Sequence, residues 1–246
     1  YCPNAVFLNY TNPMAMLCRA MQEAAPHVLT TGLCHSVQNG IDKFSKILDI
    51  PAEEIQYTCA GINHMAYYLS LTHDGKDLYP ELRKRTLESQ EIYEQDIVRN
   101  EVFLAFGYYV TESSGHFSEY SPWFRKRDDL LQKYCYRGTS WNTGRTNFTI
   151  EHREKRKDDY DTNLEKFLSE PVDLKRGKEY AAYIFNAIFG DGELFSFNGN
   201  VRNYGLIDNL PVGACVEVPV LASRNGLQAM HVGAIPDALL PLMNLT

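Results

Sequence analysis

The 246 residues of this chain, 44% hydrophobic and 22% charged, suffice to bury the core of one large domain. A formal net charge of -7 at pH 7 and a pI near 5.5 exclude a basic surface for nucleic acid, and no apolar run approaches the roughly 20 residues that span a bilayer. The six cysteines are too scattered for a disulfide scaffold, so we expect a cytoplasmic globular protein that acts on a small or neutral molecule.

The first predicted elements are a strand and a helix joined by an asparagine-rich turn. Residues 4–8 form an apolar run that predicts a buried strand, which breaks at Asn9. Asn12 and Pro13 supply an N-cap and a first-turn proline for a helix that ends at Pro26. Because such a turn directs amide groups at a polar ligand, Asn9 and Asn12 are candidate binding residues.

A second predicted helix follows Cys34 and His35, since apolar residues recur there at helical spacing. Residues 55–59 and 65–71 have strand character, and His64 lies at the break between them. One helix and one strand therefore separate a possible thiolate ligand from a possible imidazole ligand.

The rest of the chain is predicted to be mixed. Residues 80–136 are mostly helical and aromatic, and a polar turn at 111–116 interrupts them with pocket candidates that include Glu112 and His116. Further helices are predicted at 151–158 and 179–189, and further strands at 194–197 and 215–221. The pattern predicts an α+β fold in which helices carry most residues.

Cys34 and His64 are the residues with the clearest potential for metal chemistry. A thiolate and an imidazole can converge on one divalent metal ion. From spacing alone, a buried cysteine and a satisfied core histidine explain these positions about as well. The residue pattern by itself leaves both readings open.

Four segments together resemble the family 4 glycoside hydrolases, and within them the α-galactosidase branch. The resemblance implies dependence on NAD and manganese, with Cys34 and His64 as metal ligands and a homo-oligomer, a dimer or a tetramer, as the assembly. Two protein ligands leave open positions for sugar hydroxyls, which suits a Lewis acid. The segments are Asn-Tyr-Thr-Asn-Pro at 9–13, Gly-Leu-Cys-His-Ser at 32–36, Ala-Gly-Ile-Asn-His at 60–64 and Asn-Val-Arg-Asn-Tyr-Gly at 200–205.

The same resemblance assigns expected roles to other residues. Tyr120 aligns with the tyrosine that acts as base, and His35 is expected to contact substrate or to assist departure of the leaving group. Asn203 is expected near cofactor and sugar, with His116 in the pocket. Each has an ordinary alternative: a packing tyrosine, a surface histidine or a turn-forming asparagine. A phenol also needs an adjacent cation to act as a base near neutral pH.

The resemblance further implies a fold and a domain organisation. No G-x-G-x-x-G fingerprint follows a strand in this sequence. We therefore expect residues 1–246 to form a single α+β catalytic domain of a truncated chain without its N-terminal Rossmann domain, similar to the C-terminal catalytic and oligomerisation domain of lactate and malate dehydrogenases. We expect this segment alone to be inactive because it cannot bind NAD.

The implied reaction is cleavage of a small α-galactoside by redox-neutral elimination and addition. NAD takes hydride from the sugar C3, a base removes the acidified C2 proton, and the metal stabilises the enediolate. Two other functions stay open. A conventional glycosidase would use two carboxylates, with Glu112 and Glu119 as the nearest pair, and a non-catalytic module would only mediate assembly.

Overall fold

The computed structural model describes residue 2 and residues 4–136, 148–171 and 177–244. Within these ranges nine strands form one mixed sheet, and strand bounds are as follows: β1 (Val6–Asn9), β2 (Leu29–Leu33), β3 (Gln56–Ile62), β4 (Met65–His73), β5 (Lys76–Asp77), β6 (Tyr109–Val110), β7 (Phe195–Arg202), β8 (Cys215–Ser223) and β9 (Gly226–Ala229).

Ten α-helices accompany the sheet in the same described ranges. None of them is long and apolar enough to cross a membrane. The other helical segments in the described ranges are a 3₁₀ turn at Ala52–Glu54 and a π-helical segment at Leu131–Cys135. The helices are α1 (Met14–Ala24), α2 (Ser36–Leu48), α3 (Tyr79–Glu88), α4 (Gln90–Gln95), α5 (Ile97–Phe106), α6 (Ser114–Tyr120), α7 (Asp128–Leu130), α8 (Phe148–Ser169), α9 (Tyr180–Phe189) and α10 (Leu240–Asn244).

The strand order inserts strands from late in the chain between strands from its first third. The strands follow one another as β1-β2-β7-β8-β3-β4-β5, with β6 on β4 and β9 on β8. Only the β1–β2 pair is parallel among these described strands. As a result, the C-terminal strands β7 and β8 lie between β2 and β3, the two strands that precede Cys34 and His64.

Apolar packing fixes helix α2 against the sheet. Phe44 of α2 is fully buried against the rings of Tyr68 and Tyr109. The Tyr68 hydroxyl donates a 2.6 Å hydrogen bond to the Val37 carbonyl. A Cβ atom at Gly40 would lie 2.0 Å from that hydroxyl, so only glycine permits this approach. The start of α2, next to Cys34, is thereby held against β4.

The predicted α+β class is confirmed, and most predicted elements are present. The first strand and the helix after Cys34 form near their predicted positions, and the predicted strand at 194–197 extends to Arg202. Strands β2 and β6 were not predicted. The β2 sequence Leu-Thr-Thr-Gly-Leu contains no strict alternation, and its pairing with β1 and β7 makes it a strand.

Candidate metal centre and adjoining cavity

Cys34 lies between the end of β2 and the start of α2. Its Sγ shares a 3.2 Å hydrogen bond with the Ser36 hydroxyl. Burial raises the pKa of the Cys34 thiol to about 11, and the negative charge of Glu217 adds to this. A bound divalent cation would reverse that preference, because a coordinating thiol is deprotonated outright.

His64 occupies the two-residue loop between β3 and β4. Ile62 and Met65 are the last paired residues on either side of that loop. The backbone of His64 has a φ of 66°, in the left-handed region that few residues other than glycine adopt. Burial lowers the pKa of the His64 imidazole, and the negative charge of Glu112 opposes this. A neutral imidazole is the form that binds metal.

Glu112 completes a cluster with these two residues. It follows β6, and its Oε2 lies 3.2 Å from the Nε2 of His64. The Cys34 sulfur, a ring nitrogen of His64 and a carboxylate oxygen of Glu112 all lie within 4.8 Å of one another. One thiolate, one imidazole and one carboxylate can bind a divalent transition metal and leave positions open for substrate.

A cavity of about 540 Å³ adjoins this cluster. His64 and Tyr120 line one part of its wall. Asn12 and the first turn of α1 line another part, together with Arg202 and residues 210–215. The cavity is large enough for a sugar ring, and its polar lining side chains include those of Asn63, His64 and Tyr120.

Tyr120 lies beside the cluster at the end of α6. Its ring centroid is 5.2 Å from that of His64, and its side chain is about half exposed. Burial raises the pKa of the Tyr120 phenol, and the carboxylates of Glu112 and Glu119 add to this. The free protein therefore favours the neutral phenol. A base role for Tyr120 requires a cation at the cluster to stabilise the phenolate.

The structure does not place His35 against the cluster of Cys34, His64 and Glu112. Its Nε2 hydrogen-bonds the Glu179 carboxylate at 2.8 Å, and its ring stacks on Tyr10 with centroids 5.7 Å apart. The pKa of Glu179 is lowered chiefly by that hydrogen bond. Half of the His35 side chain is exposed. His35 thus lies at the surface between α2 and the start of α9.

The two predicted binding asparagines at the start of α1 are engaged locally. The Asn9 side-chain amide exchanges hydrogen bonds with the backbone of Thr11 and also contacts Met14. Asn12 Oδ1 accepts a 3.2 Å hydrogen bond from the backbone N–H of Met14. Asn12 lines the cavity, and the described contacts of Asn9 are with its own turn and helix.

His116 and Asn203 differ in their relation to the site. The His116 ring stacks on His64 with centroids 6.0 Å apart, and its Nδ1 lies 2.9 Å from Glu119. Asn203 is 1% exposed, and its amide makes five hydrogen bonds with the backbone of residues 206–211. The geometry of Asn203 is that of the turn-forming alternative.

Sequence reasoning missed two acidic residues of the site. The sequence pattern indicates Glu112 only as a pocket residue and as one of two catalytic carboxylates, whereas in the structure its carboxylate lies beside Cys34 and His64. Glu217 was not singled out. The signal for Glu217 was a lone acid in the apolar run Cys-Val-Glu-Val-Pro-Val of β8.

Comparison with the sequence models of known protein families shows the family of this chain. The sequence model described as "Family 4 glycosyl hydrolase C-terminal domain" matches residues 59–246, and the one described as "Family 4 glycosyl hydrolase" matches residues 1–50. The chain therefore belongs to family 4 of the glycosyl hydrolases.

Two curated relatives carry the name alpha-galactosidase. One, from Bacillus subtilis, is 43% identical over 98% of this chain and 54% of its own length. The other, from Rhizobium meliloti, is 34% identical over 96% of this chain and 49% of its own length. The chain spans about half the length of these relatives.

Solved structures confirm the predicted fold. A 6-phospho-alpha-glucosidase from gut microorganisms, in complex with NAD and Mn²⁺, superposes with a TM-score of 0.71 at 23% identity over 99% of this chain and 57% of its own. Lactate dehydrogenase from Eimeria maxima, with NADH and oxamate, superposes at 0.53 and 15% identity over 99% and 57%. The predicted likeness to the lactate dehydrogenase fold is therefore correct.

Proposed function

We propose that the protein is an α-galactoside hydrolase that works by metal- and NAD-dependent elimination and addition. The observation that carries this proposal is the convergence of Cys34, His64 and Glu112 beside a cavity whose wall includes Tyr120. We also propose that residues 1–246 act as one catalytic domain. Membership of family 4 supports the reaction class, and the two relatives named alpha-galactosidase support the substrate.

Cys34, His64 and Glu112 are the residues we expect to hold Mn²⁺. Their donor atoms are close enough to share one ion, and their mixed set leaves positions for two sugar hydroxyls and water. When bound, the metal supplies a Lewis acid for an oxygen that becomes negatively charged. Glu112 adds a negative charge to the centre, which favours a dication over a neutral ligand.

Tyr120 is the residue we expect to remove the C2 proton of the sugar. It faces the cavity next to His64, so a sugar bound at the cluster would lie within its reach. NAD, when bound, would supply the hydride acceptor for oxidation at C3, and a carbonyl at C3 would make the neighbouring C2 proton acidic. Because the sequence holds no dinucleotide fingerprint, we expect residues 1–246 alone to be inactive.

The decisive experiment follows the C2 proton. The complete protein, with NAD⁺ and Mn²⁺, hydrolyses an aryl α-galactoside in D₂O, and the released galactose is analysed for deuterium at C2. We expect deuterium there. Hydrolysis with C2 fully protonated and without a C2 isotope effect would contradict the proposal and favour direct displacement by two carboxylates.

Metal removal supplies a second test. We expect a chelator to abolish turnover and Mn²⁺ to restore it, because the substrate oxygens need a cation partner. A two-carboxylate enzyme built on Glu112 and Glu119 would keep its activity. Comparison of aryl α-galactoside with aryl α-galacturonide and a 6-phosphoglucoside tests the substrate, and we expect the first to give the highest kcat/KM.

A further inference from the structure

A buried pair of charged side chains lies beneath the segment that carries Glu112. Asp96 lies between α4 and α5, and Arg99 lies in the first turn of α5. Both side chains are buried, and Arg99 Nη1 donates a 3.0 Å hydrogen bond to Asp96 Oδ2. The function proposed above assigns no role to this pair.

Arg99 fixes the backbone on the N-terminal side of Glu112. Its Nε and Nη2 both donate to the carbonyl of Val110, at 3.0 and 2.7 Å. Because the donors of a guanidinium lie in one rigid plane, two of them on one oxygen restrict its direction as well as its distance. Val110 also pairs with Tyr67 of β4. The residue two positions before Glu112 is therefore held from two sides.

Asp96 fixes the backbone on the C-terminal side of Glu112. Its Oδ1 accepts a hydrogen bond from the Ser114 hydroxyl. The oxygen of that hydroxyl in turn accepts a 3.2 Å hydrogen bond from the backbone N–H of Arg99. Ser114 is the first residue of α6, the helix that ends at Tyr120. The start of α6 is thereby tied to the start of α5.

The backbone between these two anchors orients the Glu112 carboxylate. The Ser113 N–H donates to Glu112 Oε1 at 2.7 Å, and Glu112 Oε2 lies 3.2 Å from His64 Nε2. The direction of the carboxylate thus depends on where the Ser113 N–H points. A shift of the backbone at Val110 or Ser114 would turn Oε2 away from His64.

Lys43 connects the same pair to the helix that follows Cys34. Its ammonium group donates to Asp96 Oδ2. Lys43 lies on α2, which begins two residues after Cys34. One buried carboxylate therefore joins α2 to the start of α5 and to the start of α6.

The charges of the network strengthen its hydrogen bonds. Burial raises the pKa of Asp96, but the positive charges of Arg99 and Lys43, with hydrogen bonds from Lys43 and Ser114, hold it below its usual range. An ionised acceptor makes stronger hydrogen bonds than a neutral one. A buried ion pair is nevertheless weak evidence for stability, because desolvation of the charges offsets much of their attraction. What such a network supplies is a fixed direction for each of its hydrogen bonds.

We propose that Asp96 and Arg99 are positioning residues, which hold residues 110–114 so that the Glu112 carboxylate faces His64 and can share a metal ion with it. This role rests on the metal centre proposed above. Mn²⁺ affinity then depends on the anchors at Val110 and Ser114, and not on buried polar packing in general.

The Mn²⁺ affinity of the complete protein tests both anchors. Ser114→Ala removes the hydroxyl that joins Asp96 to the backbone of Arg99. Arg99→Lys keeps the positive charge and loses the paired donation to Val110. We expect the dissociation constant to rise about 10- to 100-fold in each variant, as for other groups that orient metal ligands. Affinity within about threefold of the unaltered protein in Ser114→Ala, the smaller change, would overturn the proposal.

Asn198→Leu is the control for general damage to buried polar packing. Asn198 is a buried amide of β7, and it donates to the Cys59 carbonyl at 2.8 Å rather than to residues 110–114. We expect Asn198→Leu to lower the unfolding temperature while the Mn²⁺ affinity of the folded protein stays within about threefold. A loss of affinity as large as that of Ser114→Ala would overturn the specific role of the two anchors.

Crystal structures of the complete protein and of Ser114→Ala, both without metal, measure the position of Glu112 independently. We expect Glu112 Oε2 of the variant to lie beyond hydrogen-bond distance of His64 Nε2. A carboxylate that keeps its place would overturn the inference, whether or not Mn²⁺ binds. If the carboxylate moves but the unaltered protein binds no Mn²⁺, the proposed metal centre fails and the role at the metal fails with it, while the hold on Glu112 stands.

Discussion

Two polar regions of this protein, the loops that carry Cys34, His64 and Glu112 and the turn around Asn203, use polar side chains in opposite ways. At Asn203, every donor and acceptor of the amide is taken by the backbone of residues 206–211. In the loops that carry Cys34, His64 and Glu112, the side chains of these three residues converge on one another instead. Polar side chains that are saturated by their own backbone build structure, and those left facing each other are available to a ligand.

The largest expected effect is at the cluster itself. We expect Cys34→Ser to lower kcat/KM by about 1,000-fold or more and to abolish tight Mn²⁺ binding, because a hydroxyl is a far poorer ligand than a thiolate. Enzyme assays and titration of free Mn²⁺ measure the two losses. The exposed Cys2 provides the control, and Cys2→Ser with a comparable loss would remove Cys34 from the metal centre.

Tyr120→Phe is expected to give the next largest effect. Removing the proposed base should lower kcat by about 100-fold or more. It should also increase the kinetic isotope effect for deuterium at C2, with Mn²⁺ affinity nearly unchanged. Tyr160→Phe, at an exposed position of α8, is the control. Normal turnover in Tyr120→Phe would show that another group takes the proton.

Asn203→Ala tests the other region of the comparison. The change leaves buried backbone groups of the turn without partners, so we expect it to lower the free energy of unfolding by about 3 kcal/mol. Mn²⁺ affinity of the folded protein should stay within about twofold. Denaturant unfolding measures the first quantity, with the exposed Asn225→Ala as control. A variant of full stability that has lost turnover would instead place Asn203 at the sugar or cofactor, as its resemblance to the family implies.

The smallest expected effect concerns His35. If it assists the leaving group, His35→Gln should lower kcat/KM for an alkyl α-galactoside by about tenfold and for an activated aryl α-galactoside by less than about twofold, because a good leaving group needs no proton. His73→Gln is the control, since His73 also contacts a surface carboxylate, that of Glu54. An equal loss on both substrates would contradict the acid role and leave His35 as a surface partner of Glu179.

Much of the fold follows from local sequence pattern. The helix after Cys34 carries Ile41, Phe44 and Ile47 at helical spacing, and all three are buried as the pattern predicts. The turn at residues 73–76 forms where Asp74 and Gly75 predict it, and both have positive φ. Strand β2 escaped prediction because its two threonines and its glycine gain their extended form only by pairing with neighbours.

The sequence by itself determined the ligand candidates Cys34 and His64, the helix after Cys34, the strands around His64 and the family, because short motifs and periodicity are local properties. Tertiary structure alone decided that Glu112 joins these residues, that His35 faces Glu179 and that Glu217 opposes Asn200. The physical reason is strand order. The spacing of residues along the chain does not indicate that β7 and β8 insert between β2 and β3. That insertion places Glu217 of β8 between the strands that precede Cys34 and His64.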